Sequence, residues 1–347
     1  MLKSYFSRRN FLRQSVLATG FVSLGTYGYA NSQLPEEKTK VNKLPREVWI
    51  AGISQMDLHT QNSQQMIDEM IRSIGNVVPY QPDIICLPET FPISNINKQL
   101  KLSEQIEVSE KALKQFSEVA KQYNCYIICP VITSEAGKAY NAGVVFDRSG
   151  NRMGEYRKTH LTIGEIESGL TPGPLQPPVF KADFGKFGIQ ICYDIYWNDG
   201  WEKLRDEGAE IVFWPSAFAA GQRVNTKAWE NRYVVVSSTR KNTSKICDLR
   251  GEVIAQTGIW NENFFCGSVN LEKVLIDTWP HVLHFNEIRK KFGRKVRLTS
   301  YHEEQWTVIE SLSPEVFVKD ILKEFGLKTI TQDCEEAELA QIKARQG

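Results

Sequence analysis

Histidine is scarce in this chain, at five residues in 347, and neither sign of charge is in excess, with 42 basic residues against 41 acidic. A balance this close to zero points away from nucleic acid, whose binding surfaces need a clear excess of lysine and arginine. Beyond the first 30 residues no apolar run approaches the roughly 20 residues that a membrane-spanning helix needs. Zinc-type spacing is also missing. Cys86, Cys125, Cys129, Cys192, Cys247, Cys266 and Cys334 form no C-x₂-C pair, so no metal framework is expected. Cys125 and Cys129 stand four apart, which on a strand turns both to one face and reads as buried structural thiols. Seven cysteines are an odd number, which leaves at least one without an intramolecular partner. No solenoid-type repeat is present. What remains is an ordinary globular composition, 41% hydrophobic and 24% charged. It can hold one α/β domain of about 200–250 residues with additions, or two domains.

The N-terminus departs from that average. Ser7 to Arg13, SRRNFLR, places paired Arg8 and Arg9 before an apolar stretch that ends in Gly28-Tyr29-Ala30. The pattern resembles a twin-arginine export signal, residues 1–30, with cleavage after Ala30 and a periplasmic or extracytoplasmic destination. Removing Lys3, Arg8, Arg9 and Arg13 would leave 38 basic residues against 41 acidic, a net of −3, with no membrane span in the mature form. A polar linker, residues 31–45, follows.

From there strand and helix alternate. EVWIAGISQM reads as a strand, NSQQMIDEMIRSIGNVV as an amphipathic helix, and PDIICLPET as a short apolar strand ending at Glu89. SEKALKQFSEVAKQYN and CYIICPVI repeat the helix and strand pattern, and AYNAGVVFDRSGNRMGEYRK reads as a hairpin turning at Asp147 to Gly150. Near-continuous apolar strands separated by helices imply a sheet covered by helices. The domain is expected over residues 46–273. Residues 274–347 read as a charged, helical C-terminal arm, whose basic run from Arg289 to Arg297 is a solvated face or meets an acidic partner.

Three polar groups stand at strand ends or in adjoining loops: Glu89, Lys158 and Cys192. A thiol leaving the carboxyl end of a buried strand lies where open α/β sheets place reactive crevices. A thiolate nucleophile needs a base to take its proton. It also needs a cation to lower its pKa or to stabilise the oxyanion that forms. A carboxylate and an ammonium can supply both, and His160 is the main candidate for a cysteine–histidine pairing instead.

Taken in order, these segments resemble the nitrilase superfamily of carbon–nitrogen hydrolases from about Val48 to Asn270, with 69 residues from Glu89 to Lys158 and 34 from Lys158 to Cys192. The resemblance implies a four-layer αββα sandwich that pairs with a second subunit as a homodimer or higher homo-oligomer, and neither a metal nor an organic cofactor. It implies Cys192 as nucleophile, Glu89 as proton acceptor, and Lys158 with the backbone N–H of Tyr193 as oxyanion hole. A second glutamate beyond the lysine is expected, Glu165 by spacing, with Glu167 as the other candidate. Tyr193, Tyr196, Trp197 and Arg223 are expected to line the substrate pocket, and Asp194 to be structural. One departure is Lys227-Ala228-Trp229-Glu230-Asn231, where the family commonly has arginine first. Cys192-Tyr193-Asp194 favours a small amide or N-carbamoyl substrate. The alternatives are a nitrilase, or a non-enzymatic binding protein on the same scaffold.

Overall fold

A computed structural model describes residues 44–258, 260 and 263–346. The expected export signal and all but the last two residues of the linker lie outside the described residues. The described chain opens with β1 (Glu47–Ile53), α1 (Ser63–Val77), β2 (Ile84–Cys86), α2 (Leu102–Tyr123), β3 (Tyr126–Glu135), β4 (Lys138–Phe146) and β5 (Arg152–Arg157). Asn62 fixes the start of α1 by accepting from the Gln65 N–H at 3.0 Å, and Asn124 ends α2 in the left-handed conformation. A one-turn helix, α3 (Ile163–Glu167), leads to β6 (Phe180–Lys181) and β7 (Lys186–Ile189). Then follow α4 (Asp199–Asp206), β8 (Ile211–Ser216), α5 (Gln222–Asn231), β9 (Val234–Thr239), β10 (Lys245–Cys247), β11 (Val253–Gln256) and β12 (Phe264–Asn270).

These strands form two six-stranded sheets, ordered β12-β1-β2-β3-β4-β5 and β11-β10-β9-β8-β7-β6. The period-two alternation of β1 shows how they stack. Val48 and Ile50 face Phe187, Ile189, Ile211 and Phe213 of the second sheet. Ala51 and Ile53 face Met66, Met70 and Ile74 of α1 and Phe116 of α2. On the far side, Val212 and Trp214 meet Trp201 and Leu204 of α4 and Val224 and Ala228 of α5. The result is the expected α/β sandwich of four layers, helix, sheet, sheet, helix. β1–β2–β3 and β7–β8–β9 run parallel, so the carboxyl ends of both parallel sets can frame a crevice.

Beyond the sandwich the chain is helical, as expected, in α6 (Phe285–Phe292), α7 (Val318–Phe325) and α8 (Ile330–Gln346). It also contains a three-stranded antiparallel sheet that the charge of the segment conceals: β13 (Lys273–Asp277), β14 (Val296–Tyr301) and β15 (Trp306–Ser311), ordered β13-β15-β14. Ile276, Phe285, Ile288, Ile309 and Ile321 give this region its own small core. Three cations of the basic run pair within it, Lys291 with Glu324, Lys295 with Glu315 and Arg297 with Glu310. Trp306 stacks on Trp229 of α5 at 4.2 Å between ring centroids. Among the described residues no helix is long and apolar enough to cross a membrane.

Candidate active site

Cys192 ends the extended run that continues β7 through Gln190 and Ile191, and it opens a 3₁₀ turn, Cys192–Tyr196. Its φ is +47°, a conformation uncommon for a residue with a Cβ, which persists only where the surroundings fix it. Asp194 is the fixing group. Fully buried, its carboxylate accepts from the Ile191 N–H at 2.8 Å, the Tyr156 hydroxyl at 2.7 Å and the His160 N–H at 2.8 Å. His160 Nδ1 lies 3.0 Å from the same carboxylate. Trp214 Nε1 donates to the carbonyl of Cys192 itself at 3.0 Å. The Cys192 side chain thereby lines a cavity of about 280 Å³ together with Glu89, Lys158, Asn141, Glu165 and Arg240.

Glu89 leaves the carboxyl end of β2, and Lys158 directly follows β5, so the first sheet brings both to the crevice while the second brings Cys192. Lys158 Nζ donates to Glu89 Oε1 at 3.0 Å and to both oxygens of Glu165 at 2.8 Å. Asn141 Nδ2, from β4, bridges the same two carboxylates at 2.9 Å each. Glu165 is held by a capping box on α3: the Thr162 N–H donates to its Oε2 at 2.8 Å, and its own N–H donates to the Thr162 hydroxyl at 3.2 Å. Gly173 packs the following loop onto this corner. Its N–H donates to the Lys158 carbonyl at 2.8 Å, and a Cβ there would come within 2.2 Å of the Arg157 carbonyl oxygen.

Burial opposes charge on all three groups, and the neighbours decide the outcome. For Lys158, burial favours the neutral amine, but the charges of Glu89, Cys192 and Glu165 overcome it and hold the ammonium above the ordinary lysine range. For Glu89, burial is outweighed by Lys158 and Arg240 and by the hydrogen bonds from Lys158 and Asn141, so its carboxyl sits below the usual range. Cys192 goes the other way. Burial, and then the charge of Glu89, push the thiol up to about 12. The lysine therefore does not make a resting thiolate, since its charge is committed to two carboxylates. Glu89 Oε2, buried and without a hydrogen-bond partner, is the free acceptor.

The structure brings Glu89, Lys158, Glu165 and Cys192 together, while Glu167 is exposed and makes no contact with Lys158. It does not bring the expected substrate-binding side chains there. Tyr193, Tyr196, Trp197 and Arg223 are absent from the cavity lining; the first three follow Cys192 along the turn, and Arg223 lies on α5. Trp197 stacks on His160 at 4.2 Å, Tyr193 packs on Tyr196 and Trp197, and Arg223 lies 4.4 Å above the Tyr196 ring. His160 is thus occupied by Asp194 and Trp197. Lys227, in place of the expected arginine, donates to the Trp197 carbonyl at 3.1 Å and to the Asn198 side chain. Asn141 and Arg240 were missed by sequence reasoning. An asparagine between the apolar residues of AYNAGVVF is a buried polar group that must find a partner, and it was a usable signal. Thr162-x-x-Glu165 is a capping-box pattern that separates Glu165 from Glu167. Among the described residues no group of three or more potential ligands could hold a metal, and all seven cysteines are unpaired.

A double-sheet sandwich with a thiol, a carboxylate and a buried ammonium at its crevice fits a hydrolase of carbon–nitrogen bonds. The chain belongs to the carbon–nitrogen hydrolase family of the nitrilase superfamily, whose model matches residues 50–275. Deaminated glutathione amidase of Synechocystis sp. is 28% identical over 173 residues, 46% of this chain and 61% of that protein. The chain thus aligns with about three-fifths of that relative's length. Omega-amidase NIT3 of Saccharomyces cerevisiae is 28% identical over 250 residues, 62% of this chain and 84% of that one. Among solved structures, Saccharomyces cerevisiae Nit3 superposes with a TM-score of 0.57 at 19% identity, covering 72% of this chain and 96% of its own. A carbon–nitrogen hydrolase from Helicobacter pylori gives 0.59 at 18%, covering 71% and 93%.

Proposed function

We propose that the protein hydrolyses a small amide or N-carbamoyl compound through a thioester on Cys192. The observation that carries this reading is the convergence of the Cys192 thiol, the Lys158 ammonium and the unpartnered Glu89 Oε2 on one cavity. Glu89 takes the thiol proton as sulfur bonds to the carbonyl carbon, and the carbonyl oxygen gains negative charge. Lys158 and the backbone N–H of Tyr193 stabilise that oxygen. Glu89 passes its proton to the leaving nitrogen, the C–N bond breaks, and ammonia or an amine departs. Water then loses a proton to Glu89 and attacks the thioester, and the thiol recovers that proton as the acid leaves. Glu165 and Asn141 hold the lysine and the base in register. The relatives named as amidases support an amide rather than a nitrile.

The test is ammonia release by the purified protein across primary amides, N-carbamoyl compounds and nitriles, with Cys192→Ala as control and mass spectrometry for an acylated Cys192. Activity confined to nitriles, or undiminished in Cys192→Ala, overturns the reading. The twin-arginine pattern of residues 1–30 supports action outside the inner membrane. Replacing Arg8 and Arg9 by lysine is expected to retain the protein in the cytoplasm, and unchanged export refutes that placement.

A further inference from the structure

We propose that Arg240 is a positioning residue that keeps Glu89 ionised and its free oxygen turned to the thiol. The inference rests on the reading of Glu89 as the base. Arg240 follows β9 in the second sheet, whereas Glu89 follows β2 in the first, so the two meet across the crevice. Arg240 Nη2 stands 3.7 Å from Glu89 Oε2. That is close enough for charge attraction and too long for a hydrogen bond, so the oxygen stays available to accept a proton.

Charge balance gives the arginine its purpose. The groups facing Glu89 are Lys158 after β5, Glu165 on α3, which shares that lysine, the Cys192 thiol after β7, and Arg240. Asn141 of β4 is neutral. One ammonium between the buried carboxylate of Glu89 and the part-buried one of Glu165 leaves an unbalanced negative charge, and Arg240 supplies the missing positive one. Without it, protonating Glu89 would relieve the excess and disable the base.

The guanidinium is also built in. Its Nη1 donates to the Ser94 hydroxyl, and Ser94 Oγ donates to the Thr90 carbonyl at 2.9 Å. Thr90 follows Glu89 directly and holds φ +46° at the head of the 3₁₀ turn Phe91–Ile93. The Arg240 N–H donates to the Ser216 carbonyl at 2.9 Å. Ser94 thus ties the arginine to the backbone that aims Glu89.

The decisive measurement is the pH dependence of kcat/KM for the full chain on an amide that it hydrolyses. Arg240→Met removes the charge and keeps the reach. A base works only above its pKa, and losing a nearby cation raises that pKa, so the acid limb is expected to move to higher pH by about 1 unit. Arg240→Lys is expected to restore most of that shift. Ser94→Ala, which frees the arginine without removing it, should move the limb in the same direction by less, and it serves if Arg240→Met does not fold. An acid limb unmoved in Arg240→Met, or in Ser94→Ala where the first variant is lost, overturns the proposal even if the plateau falls, because a structural or substrate-contacting arginine would lower the plateau alone. Glu89→Gln separates the two levels of inference. If it keeps its activity and its acid limb, the base reading itself fails and the proposal falls with it. If it is inactive while the Arg240→Met limb stays put, only the arginine's role is refuted.

Discussion

The 3₁₀ turn Cys192–Tyr196 has two faces of opposite character. Inward, Cys192 meets a charged pocket in which Glu89 and Lys158 are only 4% and 1% exposed at their side chains. Outward, Tyr196 and Trp197 are 49% and 39% exposed and stack among themselves and on His160. The run from Cys192 to Trp197 is thus divided between pocket and surface, with Cys192 at positive φ and Asp194 buried beneath the turn. Tyr196 and Trp197, close to Cys192 in sequence, do not line its cavity. The cavity wall comes instead from Asn141, Glu165 and Arg240, which are far from Cys192 along the chain.

The contrast can be broken in order of effect. Cys192→Ala is expected to reduce ammonia release to background with the circular dichroism spectrum unchanged, since no other group can form the acyl-enzyme. Glu89→Gln should lower kcat about 10²–10⁴-fold, and Lys158→Met about 10²–10³-fold. Because the three act as one unit, the double variant should be little worse than the worse single. Lys158→Met should further cost about 3–5 kcal/mol of stability in denaturant melts, because it removes the cation that buried Glu89 and part-buried Glu165 share. Asp194→Ala removes the acceptor for three hydrogen bonds that fix the turn, and a loss of about 1–3 kcal/mol is expected. Activity should fall alongside it as Cys192 leaves its strained conformation. Trp197→Ala sharpens the comparison from the outer side. It should change kcat/KM by no more than about threefold, since exposed stacking contributes about 1 kcal/mol or less to stability and none to the cavity. A KM raised tenfold or more by Trp197→Ala would place the outer face in the substrate site and erase the distinction.

Much of this was legible in the sequence, and the limits are physical. Glu89 and Cys192 follow apolar strands, Lys158 follows the hairpin strand RMGEYR, and the helical stripe of Met66, Met70 and Ile74 marks the helix layer over the first sheet. The strands VRLTSY and WTVIES were obscured by the lysines and arginines between the helices, whose charges are met by Glu310, Glu315 and Glu324 of the same region. Arg240 gives no local signal. A lone arginine after VVVSST reads as a strand exit, and only the packing of two sheets sets it opposite Glu89. The outward course of Tyr196 and Trp197 depends on a single backbone dihedral, which no side-chain pattern announces.

The antiparallel ladder between β1 and β12 joins Glu47 to Asn270 and Ile53 to Phe264, and it has a temporal meaning. As the chain is synthesised, β1 emerges before the other described strands, with one edge of unpaired N–H and C=O groups and its partner still more than 200 residues from being made. The sheet that carries Glu89 and Lys158 cannot close on that side until the rest of the sandwich exists, and such distant pairing folds slowly. Until then the β1 edge is open to other chains. A ribosome-released fragment stopping short of Phe264 should therefore accumulate in aggregates, even though it holds every residue assigned to the catalytic pocket.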